Sequence, residues 1–595
     1  MALADVSGSV MDELAANARH WGVEPGYHDV FGHWHDVPEE SLRAIVAAIS
    51  QGRERPAALD RPATGELAFQ GDGSKLWALA IQLYAIRSRR NWGIGDFGDL
   101  QAAIELAADA GASAIGLNPL HALFLDQPEN ASPYGPNSRL FLNPLYIAVD
   151  RVPGFEPDAQ FEREAQSCRE PALVDYSRVA LLKTKALRLA YERFQRAAAR
   201  EWCDDFEAFR RERGESLAKF SSFEVLRARY PGRPWREWPE ALAAAEPGAL
   251  ADVRKSETEE CGFIEYLQWL AHGQLMECRD IAARKGMTVG LYLDLAVGVD
   301  PNGADAWAHQ RTILAGLSAG APPDEFNPAG QNWGLAPFSP HALADHDFRL
   351  MRELLSSAMR YAGAVRLDHV LGLKRLFIIP KGMDAKEGAY VLFPFEQLLQ
   401  VVAQESNKHR CIFIGEDLGT VPEGFRETTA RWGIWTYRVM IFERWPNGEF
   451  NGPQHYPVAA LAAFNTHDLP TFSGWMSAAD LAVKRAIGID PGETGESRAG
   501  AQAALREALG QFAGPNAVDS FAAAAGFLAA TPSRLVSIAI EDMLDVVDQV
   551  NIPGTVDQYP NWRRKLPVSL EQWTSQPSFN AVCAAFDYAG RSRKR

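Results

Sequence analysis

The chain is poor in cysteine. Its six (Cys168, Cys203, Cys261, Cys278, Cys411 and Cys583) are scattered over 595 residues without a CxxC pair. Such spacing excludes a zinc site or a disulfide framework and suits a reducing compartment. Long hydrophobic runs are missing too: no segment reaches the length of about 18 apolar residues that a spanning helix needs. The start, "MALADVSGSVMDELAANARHWG", lacks a basic stretch followed by an apolar one, so no secretory signal is expected there. Basic charge is short as well. Lys and Arg total 60 against 76 Asp and Glu, a net charge of −16, which argues against non-specific nucleic-acid binding and against an anionic membrane surface. These absences point to a cytoplasmic enzyme or binding protein.

What is present is a large apolar content, 47% of the residues, arranged in short runs. Eight of these suit strands buried on both faces: 76–86, 113–119, 288–297, 363–370, 411–416, 437–442, 460–465 and 535–543. Amphipathic helical patterns lie between most of them, such as "DFGDLQAAIELAADAGA" and "DFRLMRELLSSAMRYAG". That alternation predicts a (β/α)8 TIM barrel. A doubly wound open sheet is the alternative, although no glycine-rich dinucleotide loop follows the first strand. The long charged stretch between the second and third strands predicts an inserted helical subdomain over about 150–285. Residues 1–70 read as a short helical lead-in and 71–595 as the barrel, with no C-terminal β-sandwich.

Barrel enzymes place their chemistry at the carboxyl ends of the strands. Here those ends carry Asp294, Asp368, the pair Glu416–Asp417, and His467–Asp468 in "NTHDLP". Any one of them could equally cap a helix or pair with an arginine; acids at four strand ends are harder to explain that way. In "AVRLDHV", Arg366 and Asp368 are two apart and share one strand face. A cation beside Asp368 favours its ionised form, as a nucleophile or electrostatic stabiliser requires, and a plain buried ion pair would look the same. A general acid needs the opposite, a raised pKa. Glu416, in strand phase with Ile412 and Ile414 and near other acids, is placed for it. Two carboxyls with opposed needs are the logic of glycoside chemistry. Loops 132–147 and 326–340, with Tyr134 and Trp333, combine aromatic planes with polar groups and could rim a sugar cleft or simply pack.

Seven ordered stretches resemble the amylomaltases, the 4-α-glucanotransferases of glycoside hydrolase family 77. They are "SRRNWGIGDFGDL", "SPYGPNSRLFLNPLYI", "GAPPDEFNPAGQNWGLAPFSP", "GAVRLDHV", "IGEDLGTVP", "NTHDLPT" and the late "NIPGT" with "NWRRKL". The resemblance implies transfer of α-1,4-glucan segments between malto-oligosaccharides by a retaining double displacement. It implies Asp368 as nucleophile, Glu416 as general acid/base and Asp468 as transition-state stabiliser. Arg366 matches the arginine that orients the nucleophile, His467 a subsite histidine, and Tyr134 and Trp333 aromatic positions of the cleft. Asp294 is a looser match, to the aspartate that related amylases carry after the third strand. No metal and no organic cofactor is implied. The rival readings are an α-glucan hydrolase with the same residues and an inactive glucan-binding barrel. Some relatives carry a β-rich domain before the barrel, where this chain shows only the short helical lead-in.

Overall fold

A computed structural model describes residues 12–29, 32–323, 329–514 and 517–592. Eight parallel strands close into a barrel: β1 (Leu76–Ile81), β2 (Ala114–Leu117), β3 (Gly290–Leu295), β4 (Ala364–Leu367), β5 (Ile412–Gly415), β6 (Trp435–Val439), β7 (Ala460–Ala463) and β8 (Leu535–Ala539). Each pairs with its sequence neighbours and β8 closes onto β1. The expected barrel is therefore the observed one, and the open sheet is excluded.

Alternation sorts each strand between two cores. Ala364 on β4, Ile412 and Ile414 on β5, and Tyr292 on β3 belong to a small cluster inside the barrel. Val365, Leu367, Phe413, Leu293 and Leu295 belong to the large cluster beneath the surrounding helices. The inner cluster sets Ala78, Ala114, Ala364 and Ala463 against Tyr292, Trp435 and Tyr437, so small and large side chains fill the taper. Arg366 and Asp294 continue the inner phase of their strands. Both are buried.

The strands are shorter than the apolar runs predict. After β1 the chain turns into a 3-10 segment, Leu83–Ala85; after β6 into another, Met440–Phe442; after β8 into the helix Ile540–Met543. The first and third of these are buried throughout and the second at Met440, so hydrophobicity continues past the point where strand pairing stops.

Between β2 and β3 lie the helices Ala159–Arg169, Tyr176–Ala197, Arg200–Arg229, Pro247–Ser256 and Thr258–Arg284. The last packs on the helix Phe97–Asp109, where Cys278 Sγ meets Phe97 O at 3.4 Å and Gln101 Nε2 meets Glu277 Oε2 at 2.9 Å. Among the described residues, three antiparallel sheets outside the barrel had no counterpart in the sequence reading. Two are two-stranded, Gly26–His28 with Trp34–Asp36 and His121–Ala122 with Ser138–Leu142. The largest is four-stranded, in the order Ala389–Leu392, Arg375–Pro380, Leu317–Ala321, Gln331–Leu335. It is assembled from the connections that follow β3 and β4. The N-terminal segment docks on it through a hairpin, Gly26–His28 with Trp34–Asp36, and Tyr27 sets its ring edge-on against Phe377 and Tyr390. Described residues beyond β8 hold helices and 3-10 turns but no strand element. Among the described residues, no helix is long and apolar enough to cross a membrane.

Candidate active site

The site is built where β3, β4 and β5 end. Parallel register sets Arg366 beside Asp294 on one side and Ile414 on the other. Beyond the last paired residues the backbones stay tied, Asp368 N to Leu295 O at 3.0 Å and Glu416 N to Leu367 O at 3.1 Å. Asp368 and Glu416 thus leave neighbouring strands at the same level. His369 then takes a left-handed conformation (φ 49°), which only a few non-glycine residues adopt and which concentrates at functional sites. Gly415 makes the close approach possible, because a Cβ there would lie 2.8 Å from Val370 Cγ1.

A continuous chain of polar contacts crosses the cleft. Arg366 Nη1 reaches both oxygens of Asp294 at 2.8 Å, and Nη2 lies 3.0 Å from Asp368 Oδ1. Tyr134 donates its hydroxyl proton to Asp294 Oδ2 at 2.6 Å, and its oxygen faces His467 Nδ1 at 3.2 Å. His467 Nε2 lies 3.4 Å from Asp468 Oδ2, and Asn551 Nδ2 donates to Asp468 Oδ1 at 2.6 Å. Both imidazole nitrogens therefore face oxygen. Burial disfavours a charged His467, but Asp468 outweighs it and the pKa is raised. Burial likewise opposes charge on Asp468, yet His467 and the Asn551 amide hold its carboxyl below the ordinary value.

Glu416 stands apart from this chain. Its oxygens accept from the amides of His369 and Leu418, both at 2.9 Å. Those amides and Arg366 favour the carboxylate, but burial, helped by the nearby Asp368 charge, lifts the group to about 7. Its neighbour Asp417 points elsewhere and accepts from Arg426 Nε at 2.6 Å, Thr436 Oγ1 at 2.6 Å and Tyr437 N at 3.0 Å. One acid faces the cleft and the other braces the start of β6.

The eight residues to which the family resemblance assigns a role lie together here, and Asp417, the other strand-end acid, does not join them. Trp333 arrives on the edge strand Gln331–Leu335 of the outer sheet and sets its ring edge-on to His369, centroids 5.0 Å apart. The first residues of the loop expected at 326–340, through Pro328, lie outside the described residues. Sequence reasoning missed three contributors. His369 was quoted only as part of its strand. Asn551 and Trp562 sit in the late motifs, which carried no assigned role. Trp562 packs its ring 5.3 Å from His467 and 5.6 Å from Tyr134, with a left-handed backbone (φ 59°). Among the described residues, no group of three or more His, Cys, Asp or Glu side chains could hold a metal ion.

The sequence profile described as 4-alpha-glucanotransferase matches residues 81–570. The chain belongs to the 4-alpha-glucanotransferase family. It is 36% identical over 521 residues to the 4-alpha-glucanotransferase of Mycobacterium tuberculosis, covering 82% of this chain and 71% of that one. To the 4-alpha-glucanotransferase of Haemophilus influenzae it is 35% identical over 538 residues, covering 84% and 76%. The amylomaltase structure from Corynebacterium glutamicum superposes with a TM-score of 0.83 at 24% identity, over 97% of this chain and 99% of that one. An amylomaltase from Streptococcus agalactiae, solved in complex with acarbose, gives 0.71 at 19% identity, over 87% and 100%. These two structures share the fold. Family membership makes the chain a glycosyltransferase that moves glucan segments.

Proposed function

We propose that the chain transfers α-1,4-glucan segments between malto-oligosaccharides by a retaining double displacement, with Asp368 as nucleophile and Glu416 as general acid/base. The observation that carries this reading is the different surroundings of the two carboxyls. Asp368 lies 3.0 Å from an arginine that is itself locked to Asp294, which holds the carboxyl in place for attack. Glu416, lifted to about 7, still holds a proton to give the leaving oxygen. After the glycosyl–Asp368 bond forms, Glu416 has become a base. It takes the proton of an incoming sugar 4-hydroxyl, whose oxygen displaces Asp368. Asp468, ionised beside His467, binds sugar hydroxyls and stabilises the positive charge that develops at the anomeric carbon. Arg366 orients the nucleophile. Tyr134, His467, Trp333 and Asp294 shape the cleft around the sugar.

Incubation with maltotriose tests the reading. Glucose together with maltopentaose and longer chains marks transfer, whereas glucose and maltose accumulating without longer products overturns it in favour of hydrolysis. We further read residues 71–595 as one barrel with its helical insertion over about 150–285, and residues 1–70 as a lead-in docked on the outer sheet. A cytoplasmic setting accords with six free cysteines, four of them buried.

A further inference from the structure

The loop after β7 carries His467 and Asp468, and a buried acid outside the cleft ties its two ends together. Asp542, in the helix Ile540–Met543 that follows β8, is 1% exposed. Its Oδ2 accepts from Asn465 Nδ2 at 3.1 Å and its Oδ1 from the Phe472 amide at 2.7 Å. Asn465 and Phe472 bracket the loop, and Asn465 Nδ2 also donates to Pro470 O at 2.9 Å. The same segment beds the rest of the loop. Val547 O accepts from Thr471 Oγ1 at 3.2 Å, Gln549 Nε2 donates to Asp468 O at 2.8 Å, and Asn551 N donates to His467 O at 3.2 Å. Asp542 touches neither His467 nor Asp468. The proposed reaction gives it no proton to move and no sugar to hold.

Two features single it out from ordinary packing. Both of its partners are N–H donors, so the group must offer two acceptors. A carboxylate does; an amide offers one and turns its NH2 at a donor. The tie also joins residues seven apart in sequence with His467 and Asp468 between them, so its loss frees that stretch of backbone.

We propose that Asp542 is a positioning residue for glucan transfer, holding Asn465 and the Phe472 amide so that His467 and Asp468 meet the sugar at the correct distance. The inference rests on the roles given to those two residues above. Displacing binding groups by even about 1 Å can cost about a hundredfold in rate.

The test uses Asp542→Asn and, from the loop side, Asn465→Ala, each assayed on maltotriose with the folded fraction measured by circular dichroism. The expected result is a fall in kcat per folded molecule of about 10- to 100-fold, with KM little changed. A double-mutant cycle with Asp468→Asn adds a readout that a structural role would not move. Asp542→Asn combined with Asp468→Asn should be no slower than Asp468→Asn alone, because both act through one group. Wild-type kcat per folded molecule in either variant overturns the proposal, as do losses that multiply in the double variant. Should neither variant fold, Asp542 belongs to stability and the proposal also falls. The wild-type product pattern decides transfer against hydrolysis separately, and the variant-to-wild-type ratio is readable with either outcome.

Discussion

Arg366 and Asp294 face each other across neighbouring strands, with one guanidinium nitrogen 2.8 Å from both carboxylate oxygens. The other end of the same fork reaches Asp368 at 3.0 Å. One arginine thereby fixes two carboxylates, and its planar geometry is what makes this possible. Arg366→Lys keeps the charge but cannot hold both partners. It should lower kcat by about two orders of magnitude while the far-ultraviolet spectrum stays native. Arg366→Met should in addition cost about 3–5 kcal/mol in urea unfolding, since it leaves Asp294 buried and unpaired.

The pH profile reports on Glu416. With its carboxyl at about 7, kcat should fall as pH rises through that value and the acid loses its proton. Stability follows the same group. Between the ordinary value of 4.5 and the folded value of about 7, the folded chain keeps a proton that the unfolded chain has released. Unfolding free energy therefore declines as pH rises through that window. Glu416→Gln should remove the alkaline limb along with the activity. Its melting temperature should exceed that of the wild type at about pH 8 and match it at about pH 4.

Asp417→Ala should behave in the reverse way. It removes the acceptor for Arg426, Thr436 and the Tyr437 amide, all on the structural side of the turn. Denaturant titration should show a loss of about 1–3 kcal/mol, with kcat per folded molecule unchanged.

Asn551 supports Asp468 directly, at 2.6 Å. Asn551→Ala removes a hydrogen bond to a charged group and should lower kcat by about 10- to 100-fold. Asn551→Asp places a like charge there, so the Asp468 pKa should rise and the acid limb of the pH–rate profile should move upward.

The barrel was legible because its information is local. A strand buried on both faces must be apolar throughout, and the polar residue at its end stands out in one dimension: Asp294, Asp368, Glu416 and Asp468 could each be picked out from a few neighbours. The outer four-stranded sheet was not legible, because its strands come from two separate connections and Gln331–Leu335 at its edge lacks an apolar run. The supports of the site were hidden for the same reason. Asn551 meets Asp468 from 83 residues away, and Tyr134 meets His467 from 333.

The sequence by itself thus determined the architecture and the acids at the strand ends, through burial and alternation acting within single strands. It also placed Glu416 and Asp417 on opposite faces, but not which of them looks into the cleft. The family resemblance picked Glu416, and the closed barrel supplies the physical reason by setting Ile412 and Ile414 in the inner cluster and Phe413 in the outer one. Electrostatic character was likewise decided in three dimensions. Glu416 owes its raised pKa chiefly to burial, and the charge near Asp368 comes from an arginine whose orientation depends on a strand 72 residues away. Protonation depends on everything that surrounds a group, and sequence order does not say what surrounds it.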